Sequence, residues 1–179
     1  MKGASMKYAI VVVDVQQALV NDGLYNKEEF ISNIQDMLRF GREKDLEIIY
    51  IRHDDGEGKE LTKGAPGYDV FEGVAPEDGE IVLDKLYNSI FKKTGLKEYL
   101  KEKRITNLII MGLQTEYCID ATLKAGVEYG YRMIVPEGTI TTRDNGKCTA
   151  RQLNDFFHYT IWKDRFAKVL PVNKVKELI

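Results

Sequence analysis

The sequence predicts a three-layer α/β/α fold built on a six-stranded, mainly parallel sheet. Two observations carry this: short apolar, β-branched runs recur along the chain, and stretches with helical apolar spacing stand between them. Regular alternation of the two implies right-handed crossovers and helices on both faces of the sheet, a Rossmann-like arrangement.

The first strand is Ala9 to Val13, five apolar residues in a row that ask to be buried on both faces. Phe30, Ile34, Met37 and Leu38 follow at helical spacing, and Glu47 to Ile51 forms the second strand. From His53 to Glu80 the periodicity lapses and Gly56, Gly58, Gly64, Pro66, Gly67, Gly73, Pro76 and Gly79 accumulate. A connection of that length is unusual in a compact domain and is predicted to be a binding loop, a lid or a subunit contact. Ile81 to Leu83 is the third strand, and Leu96, Tyr99 and Leu100 mark the next helix. Leu108 to Met111 is the fourth strand, with Ala121, Leu123, Ala125 and Tyr129 on the helix after it. Tyr131 to Val135 is the fifth. Past the Gly146 turn, Leu153, Phe156, Phe157, Thr160 and Ile161 keep helical spacing, before a sixth strand at Phe166 to Leu170 and a short terminal helix.

Composition narrows the function. The 179 residues suit a single domain over 1–179, large enough to bury a core and form a cleft. Lysine and arginine number 26 against 28 acidic residues, a formal charge of −2, so no basic footprint points to nucleic acid and a small-molecule partner is expected. The two cysteines, Cys118 and Cys148, form neither a disulfide framework nor a zinc-ligand pair and suit a reducing compartment. No run is long enough to span a membrane, so no membrane partner is expected. Lys2 and Lys7 are not followed by the apolar core of a secretory leader, and a cytoplasmic location is expected.

In an open parallel sheet, ligands bind beyond the carboxyl ends of the strands. Three reactive residue types stand there: Asp14 after the first strand, Lys85 after the third, and Cys118 where the fourth hands over to a helix. Each alone has an ordinary explanation: a turn carboxylate, a solvated lysine, a small buried hydrophobe. At one edge of one sheet they supply an acid to take a thiol proton, a cation to hold the resulting charges, and a nucleophile. Unpaired N–H groups and the positive end of a helix dipole are expected to favour the Cys118 thiolate.

Three spaced motifs carry a family resemblance: Val12-Val13-Asp14-Val15-Gln16, Lys85-Leu86-Tyr87-Asn88-Ser89-Ile90-Phe91 and Gly112-Leu113-Gln114-Thr115-Glu116-Tyr117-Cys118. Over nearly its whole length the chain resembles the isochorismatase-like cysteine hydrolases. The resemblance implies an Asp14, Lys85, Cys118 triad, a cis peptide between Leu113 and Gln114, and an oxyanion hole made by the backbone N–H groups of Gln114 and Cys118. It implies cleavage of a C–N bond, amide or ureido, through a thioester. Gln17, Asn88, Phe91 and Tyr117 are candidate substrate-binding residues, each with packing as the competing explanation.

Two features depart from the family pattern. Gln114 stands where a small residue is frequent, which predicts a more polar pocket, and Glu116 stands where aspartate is usual. Nicotinamidases of the family hold a metal with aspartate and histidines. Here the only histidines are His53 and His158: His158 sits on a helical pattern and His53-Asp54-Asp55 reads as an acidic turn, so no metal and no cofactor are expected. Two other functions compete: an ether hydrolase of the isochorismatase type, and a non-catalytic ligand-binding member of the fold. A homo-oligomer, dimer or tetramer, is expected from the resemblance.

Overall fold

The computed structural model describes residues 6–21 and 23–179. Among these, the strands are β1 (Tyr8–Val13), β2 (Glu47–His53), β3 (Ile81–Lys85), β4 (Asn107–Gly112), β5 (Arg132–Pro136) and β6 (Lys168–Leu170). They form one sheet in the order β3-β2-β1-β4-β5-β6, and every neighbouring pair is parallel.

Side chains alternate across the sheet, as the two-residue repeat of a strand requires. Ala9, Val11, Val13, Leu108 and Ile110 face a layer containing α2 (Leu96–Glu102) and α3 (Asp120–Glu128). Ile10, Val12, Ile109 and Met111 face α1 (Lys27–Glu43) and α5 (Val172–Lys176), whose apolar stripes include Phe30, Ile34, Met37, Leu38 and Val175. The strands read as unbroken apolar runs because both faces are covered. A further helix, α4 (Ala150–Phe156), starts at a Thr149–Gln152 capping box and runs into a π-helical segment, Phe157–Trp162.

Strands β1 to β5 each extend one or two residues past the expected run at one end or both, and two strands start later than the sequence expectation. The sixth strand loses Phe166 and Ala167, whose N–H groups bond the Trp162 carbonyl at 2.8 and 2.9 Å and close the preceding turn. Tyr131 similarly closes the end of α3 through its N–H on Gly126, and β5 begins one residue later. The long connection after β2 packs on the chain following β1. Phe71 N–H bonds the Val15 carbonyl, Gln17 N–H bonds Asp69, and Ala18 N–H bonds Gly67. Leu61, Tyr68 and Val74 anchor it as buried side chains. Among the described residues no helix is long and apolar enough to cross a membrane.

Candidate active site

The sheet order reverses between β1 and β4, and that reversal opens a crevice at their carboxyl ends. Asp14 leaves β1 in the left-handed backbone region, φ 56°, which aspartate tolerates better than most residues. Its N–H bonds Ile51 and its carbonyl accepts from Gln16, so the turn is fixed on both sides. Next door, Gly112 ends β4 at φ 125°, where an added Cβ would collide with the Val13 backbone. Only glycine permits that close approach. Beyond it the Leu113–Gln114 peptide is cis, and Thr115–Ile119 forms a π-helical turn that carries Cys118 and continues into α3.

Lys85 arrives from the edge strand β3. Because β2 lies between β3 and β1, its long side chain has to cross the end of β2, where His53 is its register partner. The ammonium ends 2.7 Å from Asp14 Oδ2, 3.2 Å from Cys118 Sγ and 2.7 Å from His53 Nδ1. Asp14 and Lys85 are both nearly inaccessible to solvent, at 2% and 1% exposure, so the pair sits in a medium where charge interactions are strong. Asp14 Oδ1 is buried with no hydrogen-bond partner and remains available to accept a proton. The Asp14 and Cys118 donor atoms lie within 4.8 Å of each other.

Burial pushes the Cys118 thiol up to about 12, the Asp14 charge adds to this, and the Lys85 ammonium opposes it. This corrects the expectation of a thiolate favoured by the helix start. Desolvation penalises the anion more than the local positive charge favours it, so the resting sulfur keeps its proton. The site is therefore built to move a proton from sulfur when a substrate arrives, with an unpaired carboxylate oxygen nearby to receive it.

The other sequence candidates divide. The Gln114 N–H makes no hydrogen bond among the described residues, and the Gln114 carbonyl accepts from Tyr117 and Ile119 while bypassing Cys118. Asn88 Oδ1 stands 4.0 Å from Cys118 Sγ. Tyr117 is exposed beside Cys118, its hydroxyl accepting from Asn145 Nδ2 at 2.7 Å. Gln17 is half-buried and tied to Asp69 by its backbone. Phe91 is a correction: its ring stacks on Tyr131 at 5.5 Å and meets Tyr129 edge-on at 5.3 Å. Tyr131 precedes β5 at the opposite end of the strands, so Phe91 is a packing residue there and not part of this site.

Sequence reasoning missed two residues. His53 touches Lys85, although its neighbourhood read as an acidic turn. Gln16, fully buried, holds the main chain of His53 and of Tyr68: its Nε2 donates to both carbonyls and its Oε1 accepts from His53 N–H. For His53 the position follows once the strand order is known, since a residue ending β2 must lie between residues ending β1 and β3.

Glu116 faces away from the sulfur and accepts from Thr142 Oγ1 at 2.7 Å and Asn145 Nδ2 at 3.0 Å, pinning the loop after β5. Thr115 ties the same turn to Asn154 of α4. For a metal, the donor atoms of Asp14, His53 and Cys118 are suitably close, but the Lys85 ammonium already reaches all three residues. The positive charge comes from a side chain, and the residues do not fit a metal ion. His158 lies apart from this group, its Nδ1 against the Asn154 carbonyl.

Comparison with known proteins adds a family context. The isochorismatase domain model matches residues 8–172. An uncharacterized isochorismatase family protein, YrdC of Bacillus subtilis, is 34% identical over 128 residues, covering 70% of this chain and 68% of its own. The crystal structure of an isochorismatase from Pseudomonas putida superposes with a TM-score of 0.88 at 27% identity, over 93% of this chain and 89% of that one. N-carbamoylsarcosine amidase from Thermoplasma acidophilum superposes with a TM-score of 0.73 at 25% identity, over 94% and 98% of the two chains.

Proposed function

This chain belongs to the isochorismatase family, and on that basis we propose that it is a cysteine hydrolase that cleaves the C–N bond of a small amide or ureido compound. The observation that carries this reading is the Lys85 ammonium bridging Asp14 and Cys118 at 2.7 and 3.2 Å, with the carboxylate and the thiol within 4.8 Å of each other and Asp14 Oδ1 unpaired. The amidase named among the structural relatives supports the choice of a C–N bond.

In the proposed cycle, Asp14 takes the Cys118 proton as the sulfur attacks the substrate carbonyl carbon. The C–S bond forms and the carbonyl oxygen becomes an oxyanion facing the N–H groups of Gln114 and Cys118. The C–N bond then breaks, and the proton held by Asp14 passes to the departing nitrogen. Water attacks the thioester, gives one proton back to Asp14, and releases the acid; that proton returns to the sulfur. Lys85 stays charged throughout and offsets whichever of Asp14 or Cys118 is anionic. Its amine does not attack, because all three of its N–H bonds are directed at partners.

The test is a panel of ureido acids and primary amides assayed for released ammonia, with intact-mass measurement of the acylated enzyme. Turnover with a mass adduct mapped to Cys118, both lost in Cys118→Ala, is the expected result. Retained turnover in Cys118→Ala would remove the covalent step.

A further inference from the structure

The contact between Lys85 and His53 determines a tautomer. A lysine ammonium has three N–H bonds and no acceptor. Two of them serve Asp14 Oδ2 and Cys118 Sγ, and the third meets His53 Nδ1 at 2.7 Å. On the far side of the ring, His53 Nε2 is 3.0 Å from Asp55 Oδ1, an atom that only accepts when ionised. One form of the imidazole satisfies both neighbours: neutral, with the proton on Nε2. The other neutral tautomer turns a lone pair toward a carboxylate and an N–H toward an ammonium, and the imidazolium sets two cations against each other.

The ring is not free to choose another place. Gln16 clamps the His53 N–H at 2.8 Å and its carbonyl at 3.0 Å, and register with Lys85 across β2 and β3 puts the two side chains side by side. The ammonium has no exposed surface, so water does not replace a lost acceptor.

We propose that His53 is a positioning residue: as the neutral Nε2–H tautomer, fixed by Asp55, it accepts the third N–H of Lys85 and so aims the ammonium between Asp14 and Cys118. This rests on the reading of those three as the reacting group. His53 does not touch the substrate, and its effect is carried by Lys85. The line of side chains runs from the buried sulfur to Asp55, which is 47% exposed, so the tautomer is set from the solvent side.

Three variants and one spectrum test this. In His53→Asn the side-chain oxygen falls near the place of Nδ1 and can still accept from Lys85. In His53→Gln the amide reaches the place of Nε2, keeping Asp55 but losing Lys85. His53→Leu keeps bulk alone. Alkylation of Cys118 by iodoacetamide and turnover on the best substrate are measured for each, with urea midpoints to establish folding. His53→Asn is expected within roughly threefold of the parent, whereas His53→Gln and His53→Leu lose roughly 10- to 100-fold in kcat and alkylation with KM little changed.

Nitrogen-15 correlation spectra of the unaltered protein at neutral pH are expected to show His53 protonated on Nε2 only. An Nδ1–H tautomer or an imidazolium overturns the proposal without any variant. So does a folded His53→Gln that alkylates at the parent rate. If instead Cys118→Ala retains turnover, the cysteine-hydrolase reading itself has failed, and the spectrum still decides the tautomer.

Discussion

The Gln16 side chain and the His53 main chain exchange two hydrogen bonds, 2.8 Å from His53 N–H to Oε1 and 3.0 Å from Nε2 to the His53 carbonyl. A third, 2.8 Å, joins Nε2 to the Tyr68 carbonyl. One amide thus links the segment after β1, the end of β2 and the return of the long loop. It sits two residues beyond Asp14, so the spacing between Asp14 and His53, across which Lys85 is held, depends on this clamp.

Replacing Gln16 by leucine removes the clamp and strands up to three main-chain groups in a buried place. A loss of about 3 kcal/mol in unfolding free energy is expected, at about 1–3 kcal/mol for each unsatisfied group with partial relaxation. Urea titration measures it. A loss below about 1 kcal/mol would mean that water or a shifted loop replaces these bonds.

Gly112→Ala tests the close approach of β4 to β1. At φ 125° the new Cβ meets backbone atoms of Val13, which have no side-chain rotamer to yield. The expected cost is at least about 3 kcal/mol, among the larger single-site effects, because backbone strain and overlap act together. Thermal denaturation monitored by circular dichroism gives the answer, and an unchanged midpoint would contradict the geometry.

The sheet was legible because its strands are apolar on both faces; the pattern overran at Tyr131, Phe166 and Ala167, where main-chain bonds to Gly126 and Trp162 override a good strand composition, and it stopped short of the polar strand ends at Arg52, His53, Asp84 and Lys85. Asp14, Lys85 and Cys118 were legible because each is a reactive type at a strand end. Phe91 misled, since a motif position says nothing of which way a ring turns, and contact with Tyr129 and Tyr131 decides that. His53 was hidden by the glycine-rich stretch it opens. Gln16 and Gln17 cannot be told apart in sequence, yet Gln16 is fully buried and clamps two backbone segments while Gln17 is only half-buried. The protonated state of Cys118 follows from tertiary burial, which no local pattern contains.

Glu116→Ala should loosen the loop after β5 while leaving the sulfur in place. The carboxylate accepts from Thr142 and Asn145, and Asn145 also bonds the Tyr117 hydroxyl. Without it, amide hydrogen exchange over residues 142–148 is expected to rise by roughly tenfold, as for loss of about 1.4 kcal/mol of local stability. Since Tyr117 flanks Cys118 on the exposed side, KM should rise more than kcat falls. Unchanged exchange would show that the loop is held by its own Asn145–Cys148 bonds alone.

The raised Cys118 thiol makes a prediction about alkaline stability. Its ordinary value is 9.0 and burial lifts it to about 12, so above pH 9 the unfolded chain releases this proton while the folded protein retains it. The folded state then binds more protons, and stability falls as pH rises. The contribution is fully present below pH 9 and is lost progressively between 9 and 12. By about pH 10.5 the protein should have lost about 2 kcal/mol relative to a Cys118→Ala control, in which lysines and tyrosines titrate alike and cancel. Urea unfolding at a series of alkaline pH values, subtracting the control, isolates the term. Asp14→Asn should narrow the window, because the Asp14 charge adds to the rise, and Lys85→Met should widen it, because the ammonium opposes it. Parallel pH dependences in parent and Cys118→Ala would show that the folded thiol ionises as the unfolded one does, and a parent that gains stability over the control as pH rises toward 9 would show that the sulfur is already ionised at rest.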